Sequence, residues 1–109
     1  MSSSKAPTAT SVGPKLTLVD YEVFGTVQGV FFRKYTKKMA DKLYLSGWVK
    51  NTDRKTVMGQ LQGPEEKITV MKNWLKTEGS PRSKIRRCIF KNEYKLDAPL
   101  FHEFRIVLK

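Results

Sequence analysis

The sequence predicts an α+β sandwich in which two amphipathic helices lie on one face of a mostly antiparallel sheet. Three observations carry that prediction. Val19, Tyr21 and Val23 alternate with Asp20 and Glu22, as in a half-buried strand. Phe32, Tyr35, Thr36, Met39, Ala40 and Leu43 then recur at helical spacing, and Ile68, Met71, Trp74 and Leu75 do so again further on. Between them, a polar cluster from Asn51 to Lys55 separates two short runs that read as a hairpin.

Residues 1–15 are rich in Ser, Thr and Pro without periodicity and read as a mobile tail, which leaves 16–109 as one domain. The first strand starts near Leu16. The first helix is expected from about Phe31 to Leu45, with Gly47 as its stop. The hairpin follows as Trp48–Asn51, a turn, and Thr56–Gln62. Gly63-Pro64-Glu65-Glu66 signals the second helix, with Pro64 at the first helical position and two acids in the first turn. Gly79 and Pro81 end it. A fourth strand is expected from Lys84 to about Tyr94, with Ile85 and Ile89 on its buried face, and a last, short strand from Phe101 to Leu108. Strand, helix, strand, strand, helix, strand is the ferredoxin-like plan.

Composition narrows the function classes. The 109 residues suffice for a single core without a metal or disulfide to staple it. Cys88 is the only cysteine, which excludes an internal disulfide and any multi-cysteine metal site. His102 is the only histidine, and no cluster of His, Cys and carboxylates carries metal-ligand spacing. No apolar run is long enough to span a membrane, and the N-terminus lacks the apolar core of a secretory signal. A cytoplasmic location is the expectation. The formal charge of +11 is spread over Lys34, Lys37, Lys38 and Lys42, then Lys67, Lys72 and Lys76, then Arg86 and Arg87. Such a distribution fits solvated faces, and it also draws small anions toward the molecule.

The chemistry concentrates between the first strand and the first helix. Gly25 and Gly29 stand four apart there, and Arg33 opens the helix. A loop feeding a helix N-terminus presents backbone N–H groups without internal partners at the positive end of the helix dipole, a setting for an oxyanion such as phosphate. Arg33 adds a planar fork for two parallel hydrogen bonds to a phosphate. A glycine pair before a helix also serves as a plain turn. The loop lacks the Gly-Lys-Ser/Thr of a nucleotide P-loop and the cysteine of a cysteine-dependent phosphatase, so a nucleophile acting here would be water. Asn51 likewise has two readings: a turn residue bonding its own backbone, or an amide aimed at that water.

The run Gly25-Thr26-Val27-Gln28-Gly29-Val30-Phe31-Phe32-Arg33, followed by Gly47-Trp48-Val49-Lys50-Asn51-Thr52, resembles the signature pair of the acylphosphatase family. The resemblance continues through Gly59 to Pro64, Trp74, Gly79-Ser80-Pro81 and Phe101 to Ile106, and is nearest in character to the small stand-alone eukaryotic enzymes. It implies the ferredoxin-like fold and hydrolysis of acyl phosphates to a carboxylate and inorganic phosphate. It further implies no cofactor and no metal, phosphate as product and competitive inhibitor, no nucleic-acid or membrane partner, and a monomer. By the same resemblance Arg33 and the backbone of Gln28, Gly29, Val30, Phe31 and Phe32 bind the phosphoryl group. Asn51 orients the attacking water, with Gly25 and Thr52 in support. The family usually has glycine at Lys55 or beside it, so a positive backbone angle is expected at this lysine.

An amide is no general base, but an acyl phosphate does not require one. Its leaving carboxylate has a pKa of about 4 and departs without protonation. Two competing readings were a basic RNA-binding domain and an enzyme-like fold kept for binding a phosphate-containing ligand. The first lacks a stacking ring along Thr56–Gln62, and the intact pair of Arg33 and Asn51 argues against the second.

Overall fold

The computed structural model describes residues 15–108. Apart from Lys15, the tail read from the sequence lies outside the described residues. Seven elements follow one another: β1 (Leu16–Thr26), α1 (Phe32–Lys42), β2 (Ser46–Asn51), β3 (Val57–Gly63), α2 (Glu65–Thr77), β4 (Lys84–Leu96) and β5 (Phe104–Val107). The strands form one five-stranded sheet in the order β4-β1-β3-β2-β5. All neighbours pair antiparallel except β2 and β5, which run parallel. This is the ferredoxin-like sandwich with its short C-terminal strand.

Both helices bury one face in a shared core. Phe32, Ala40, Ile68, Met71, Trp74 and Leu75 meet Val19, Tyr21, Val23, Val49, Val57 and Leu61 from the sheet. Phe32 packs its ring against Trp74 at 5.8 Å between centroids and so fixes the start of α1 to the C-terminal part of α2. The Tyr21 hydroxyl donates to the Trp48 carbonyl at 2.9 Å. Gly59 makes that possible, because a Cβ there would overlap the phenol.

Several element boundaries differ from those expected. Helix α1 ends at Lys42, three residues before Leu45, and Gly47 is not its stop. Tyr44 takes the left-handed conformation (φ 59) instead. Leu45 N–H then bonds to the Ala40 carbonyl at 2.8 Å and Tyr44 N–H to that of Asp41, which closes the helix. Gly47 sits inside β2 with φ 135, where a Cβ would overlap the Gln60 carbonyl oxygen. Pro64 is the N-cap of α2, with extended backbone, and Glu65 takes the first helical position.

On β4, Ile85 faces the core as expected but Ile89 is 36% exposed, and Cys88 and Phe90 face inward in its place. The register explains the change. Gly25 pairs with Ile85 and Phe24 with Arg87, so Arg86 is an extra residue that flips the alternation beyond it. A second bulge at Asn92 (φ 55) bends the same strand. The closing strand is shorter than Phe101 to Leu108, since residues 101–103 form a loop before β5.

Candidate active site

The site is built where β1 hands over to α1 and β2 ends beside β5. The loop from Val27 to Phe31 turns twice through positive φ, at Gly29 (φ 76) and at Phe31 (φ 62). For a phenylalanine that conformation costs about 1 kcal/mol or more. Phe31 caps α1 and keeps its ring 68% exposed, while Phe32 beside it is buried. The first helical hydrogen bond runs from Tyr35 N–H to the Phe31 carbonyl at 3.1 Å. Among the described residues, the backbone N–H groups of Gln28, Gly29, Val30 and Phe31 meet no backbone acceptor. Helix α1 carries no acid in its first turn. The positive end of its dipole is therefore reinforced by Arg33 and Lys34 rather than neutralised.

A cavity of about 330 Å³ opens at this point, lined by Gly29, Phe31, Arg33, Lys34, Asn51 and Ile106 among others. Arg33 forms no ion pair among the described residues and is free to meet an anion. Asn51 enters from the end of β2, where it pairs with Val57 across the hairpin. Its Oδ1 is buried without a hydrogen-bond partner. A buried amide oxygen left unpaired is costly, and at the wall of a cationic cavity it is an acceptor ready for a water proton.

The sequence-predicted residues fall into two groups. Gly29, Phe31, Phe32, Arg33 and Asn51 line the one cavity. Gln28, Val30, Thr52 and Gly25 stand behind it or away from it. Gln28 turns its side chain from the cavity and donates to the carbonyls of Thr52 at 2.9 Å and Thr56 at 2.8 Å, which ties the loop to the hairpin. Val30 packs on the core. The Thr52 hydroxyl accepts from Arg54 N–H at 3.1 Å and Thr56 N–H at 3.2 Å, and contacts the Thr56 hydroxyl at 2.6 Å. It organises the turn that carries Asn51 and makes no bond to the Asn51 side chain. Gly25 is not in the loop: it belongs to β1, with φ 133, where a Cβ would overlap the Lys84 carbonyl oxygen.

Other contributors escaped the sequence reading. Ile106 and Leu108 reach the cavity because β5 runs parallel beside β2, a long-range pairing with no local signal, and Lys34 reaches it from the first turn of α1. Glu22, behind the hairpin, accepts from the Thr56 hydroxyl and from Arg54 at 2.7 Å. Burial pushes its carboxyl up, but the hydrogen bonds from Thr56 and Arg54 and the charges of Arg54 and Lys91 outweigh that and hold it below the usual range. Cys88 stands apart from the cavity, its thiol pushed up to about 12 chiefly by burial, against a smaller opposing effect of Lys76. It stays protonated at neutral pH, as a packing residue would. His102 lies in the loop before β5, on the other side of the sheet edge from Asn51. A larger cavity of about 660 Å³ opens there, beside Trp48, and shares no residue with the loop before α1.

The chain is similar to known proteins along nearly its whole length. A family model described as Acylphosphatase matches residues 19–106. Acylphosphatase-1 of Homo sapiens is 55% identical over 98 residues, covering 87% of this chain and 96% of that protein. Acylphosphatase-2 of Mus musculus is 56% identical over 91 residues, 84% of this chain and 86% of that one. The crystal structure of acylphosphatase from Bacillus subtilis superimposes with a TM-score of 0.77 at 35% identity, over 84% of this chain and 98% of its own.

Proposed function

Because this chain belongs to the acylphosphatase family and hydrolyses acyl phosphates to a carboxylate and inorganic phosphate, we propose that Arg33 and the loop amides hold the phosphoryl group while Asn51 aims the water. One observation carries this division of roles: the unpartnered Asn51 Oδ1 and the unpaired Arg33 share a single cavity with Gly29 and Phe31, whose N–H groups meet no backbone acceptor.

Phosphoryl transfer relies mainly on positioning and on charge stabilisation. The amides of Gln28 to Phe32, the helix dipole and Arg33 surround the three non-bridging oxygens and neutralise charge that builds on them. Asn51 Oδ1 accepts a hydrogen bond from water and sets its lone pair toward phosphorus. The water oxygen bonds to phosphorus as the bond from phosphorus to the acyl oxygen breaks. The carboxylate leaves with the electron pair, and the water proton passes to a phosphate oxygen. Carboxylate and dihydrogen phosphate result, and no separate base, metal or cofactor is called upon. Phosphate fits the same cradle and competes with substrate. A monomer in the cytoplasm is the proposed working form. Among the described residues no helix is long and apolar enough to cross a membrane.

The test is hydrolysis of benzoyl phosphate with chelator present, by the parent chain, Arg33→Gln and Asn51→Ala. Removing one such group is expected to lower kcat by about 10²–10³-fold. Inorganic phosphate should still inhibit Asn51→Ala but inhibit Arg33→Gln much less. Full turnover by Asn51→Ala would remove that residue from the mechanism, and unchanged phosphate inhibition in Arg33→Gln would do the same for the arginine.

A further inference from the structure

The geometry points to a second ligand site on the opposite side of the sheet from Asn51, shaped for a small aromatic carboxylate. Alternation along β2 separates the two sites: Val49 faces the helices, whereas Trp48 and Lys50 help to line the cavity of about 660 Å³. That volume lies within the range of small-molecule sites, about 300–1,000 Å³. Its walls are formed by Trp48, Leu100, Phe101 and Val107, with the cationic side chains of Lys50 and Arg105 beside them.

The floor and the wall are both held in place. The Trp48 indole N–H donates to Gln60 Oε1 at 2.9 Å, Gln60 Nε2 donates to Asp20 at 2.8 Å, and Asn92 donates to the other Asp20 oxygen at 2.8 Å. This chain fixes the plane of the indole. The loop carrying Leu100 and Phe101 is pinned by Gln62, which is only 3% exposed. Gln62 Oε1 accepts from Leu100 N–H at 2.6 Å and Phe101 N–H at 3.0 Å, and its Nε2 donates to the Phe101 carbonyl at 2.9 Å. A buried glutamine hydrogen-bonded through both its oxygen and its nitrogen is an expensive device for a surface loop, and here it leaves Leu100 60% exposed above the cavity.

Charge selects the ligand. Arg105 is engaged by Glu103 at 2.6 Å. Lys50 has no carboxylate partner among the described residues, and its ammonium lies 5.8 Å from the centre of the Trp48 ring. A flat apolar body on the indole with one negative charge at its edge satisfies both features. An aromatic carboxylate has that form. It is also the class of acid released when an aromatic acyl phosphate is cleaved, although the site itself does not depend on the catalytic roles proposed above.

The test is a titration of the whole chain with benzoate, followed by ¹⁵N NMR, under inorganic phosphate sufficient to saturate the catalytic cavity. Trp48→Phe assigns the Trp48 indole signal. Benzoate should shift that signal and the Leu100 and Phe101 amides along one saturable curve. Neutral benzamide should bind about tenfold more weakly. Lys50→Met, which keeps an unbranched apolar side chain without the charge, should weaken benzoate by a similar factor and leave benzamide unchanged. Lys50→Ala serves as a second variant if the first is poorly folded. Shifts confined to Gly29, Phe31 and Asn51, shifts that never saturate, or benzoate binding unaltered by loss of the Lys50 charge would each overturn the proposal.

Discussion

Gln28 has a side-chain contact that its place in the loop sequence does not announce. The signature run places it in the phosphate loop, and its backbone remains there, but its side chain bridges to the Thr52 and Thr56 carbonyls. It thereby sets the distance between the loop proposed to hold phosphate and the strand end that carries Asn51. Gln28→Ala should lower kcat by about tenfold or more through misplacement of the two halves, with a smaller change in inhibition by phosphate. Gln28→Glu should fall further, because a carboxylate would face two carbonyl oxygens. Steady-state kinetics with product inhibition reads both effects, and an unchanged kcat in Gln28→Ala would show that the bridge is dispensable. Lys55 is simpler. Its positive φ was expected from the glycine usual in related chains, and φ is 66. Lys55→Gly should raise stability by about 0.5–1 kcal/mol, read as a higher denaturation midpoint in urea at unchanged activity.

The elements place these residues by close approach of backbones. Gly47 in β2 and Gly25 in β1 both lie where a neighbouring strand's carbonyl oxygen occupies the space of a Cβ. Gly47 reads as a helix stop because a glycine soon after a periodic run usually is one. The helix stop is Tyr44, a residue with no such signal, since its side chain is exposed and the backbone bonds of Tyr44 and Leu45 hold the left-handed turn. Gly47→Ala should therefore destabilise the chain by about 3 kcal/mol or more, as strain and overlap in a central strand do. Thermal unfolding would check this, and a loss under about 1 kcal/mol would mean that β2 can shift away from β3. The inward face of β4 shows the same principle. Its Ile85 and Ile89 spacing is four, which suits one face of a regular strand, but the bulge opposite Gly25 rotates Ile89 outward and brings Cys88 and Phe90 in.

On the scale of the molecule, the formal charge of +11 meets a substrate that carries negative charge. Arg33 and Lys34 beside an acid-free helix start give that general field a local focus. The screening length shrinks from about 30 Å at 0.01 M salt to about 8 Å at 0.15 M. Over that interval kcat/KM for benzoyl phosphate should fall by a factor of about three to ten, with most of the change in KM. Initial rates in a salt that does not bind the cradle would show it. A kcat/KM independent of ionic strength would mean that only the immediate contacts, and not the field, bring substrate to the site.

Much was determined by the sequence alone. Period-two and helical spacing set the order of strands and helices, and the loop before α1 with Arg33, together with Asn51 before the turn, marked the two halves of the site. These are local properties, governed by which residues can share a face and which can begin or end an element. Tertiary structure decided the rest. The parallel pairing of β2 with β5 brought Ile106 and Leu108 to the cavity, a bulge chose the inward face of β4, and Gln28 was turned toward the hairpin. Each of those outcomes depends on a contact between residues far apart in the chain, where register and the available hydrogen-bond partners, rather than the identity of near neighbours, set where a side chain goes.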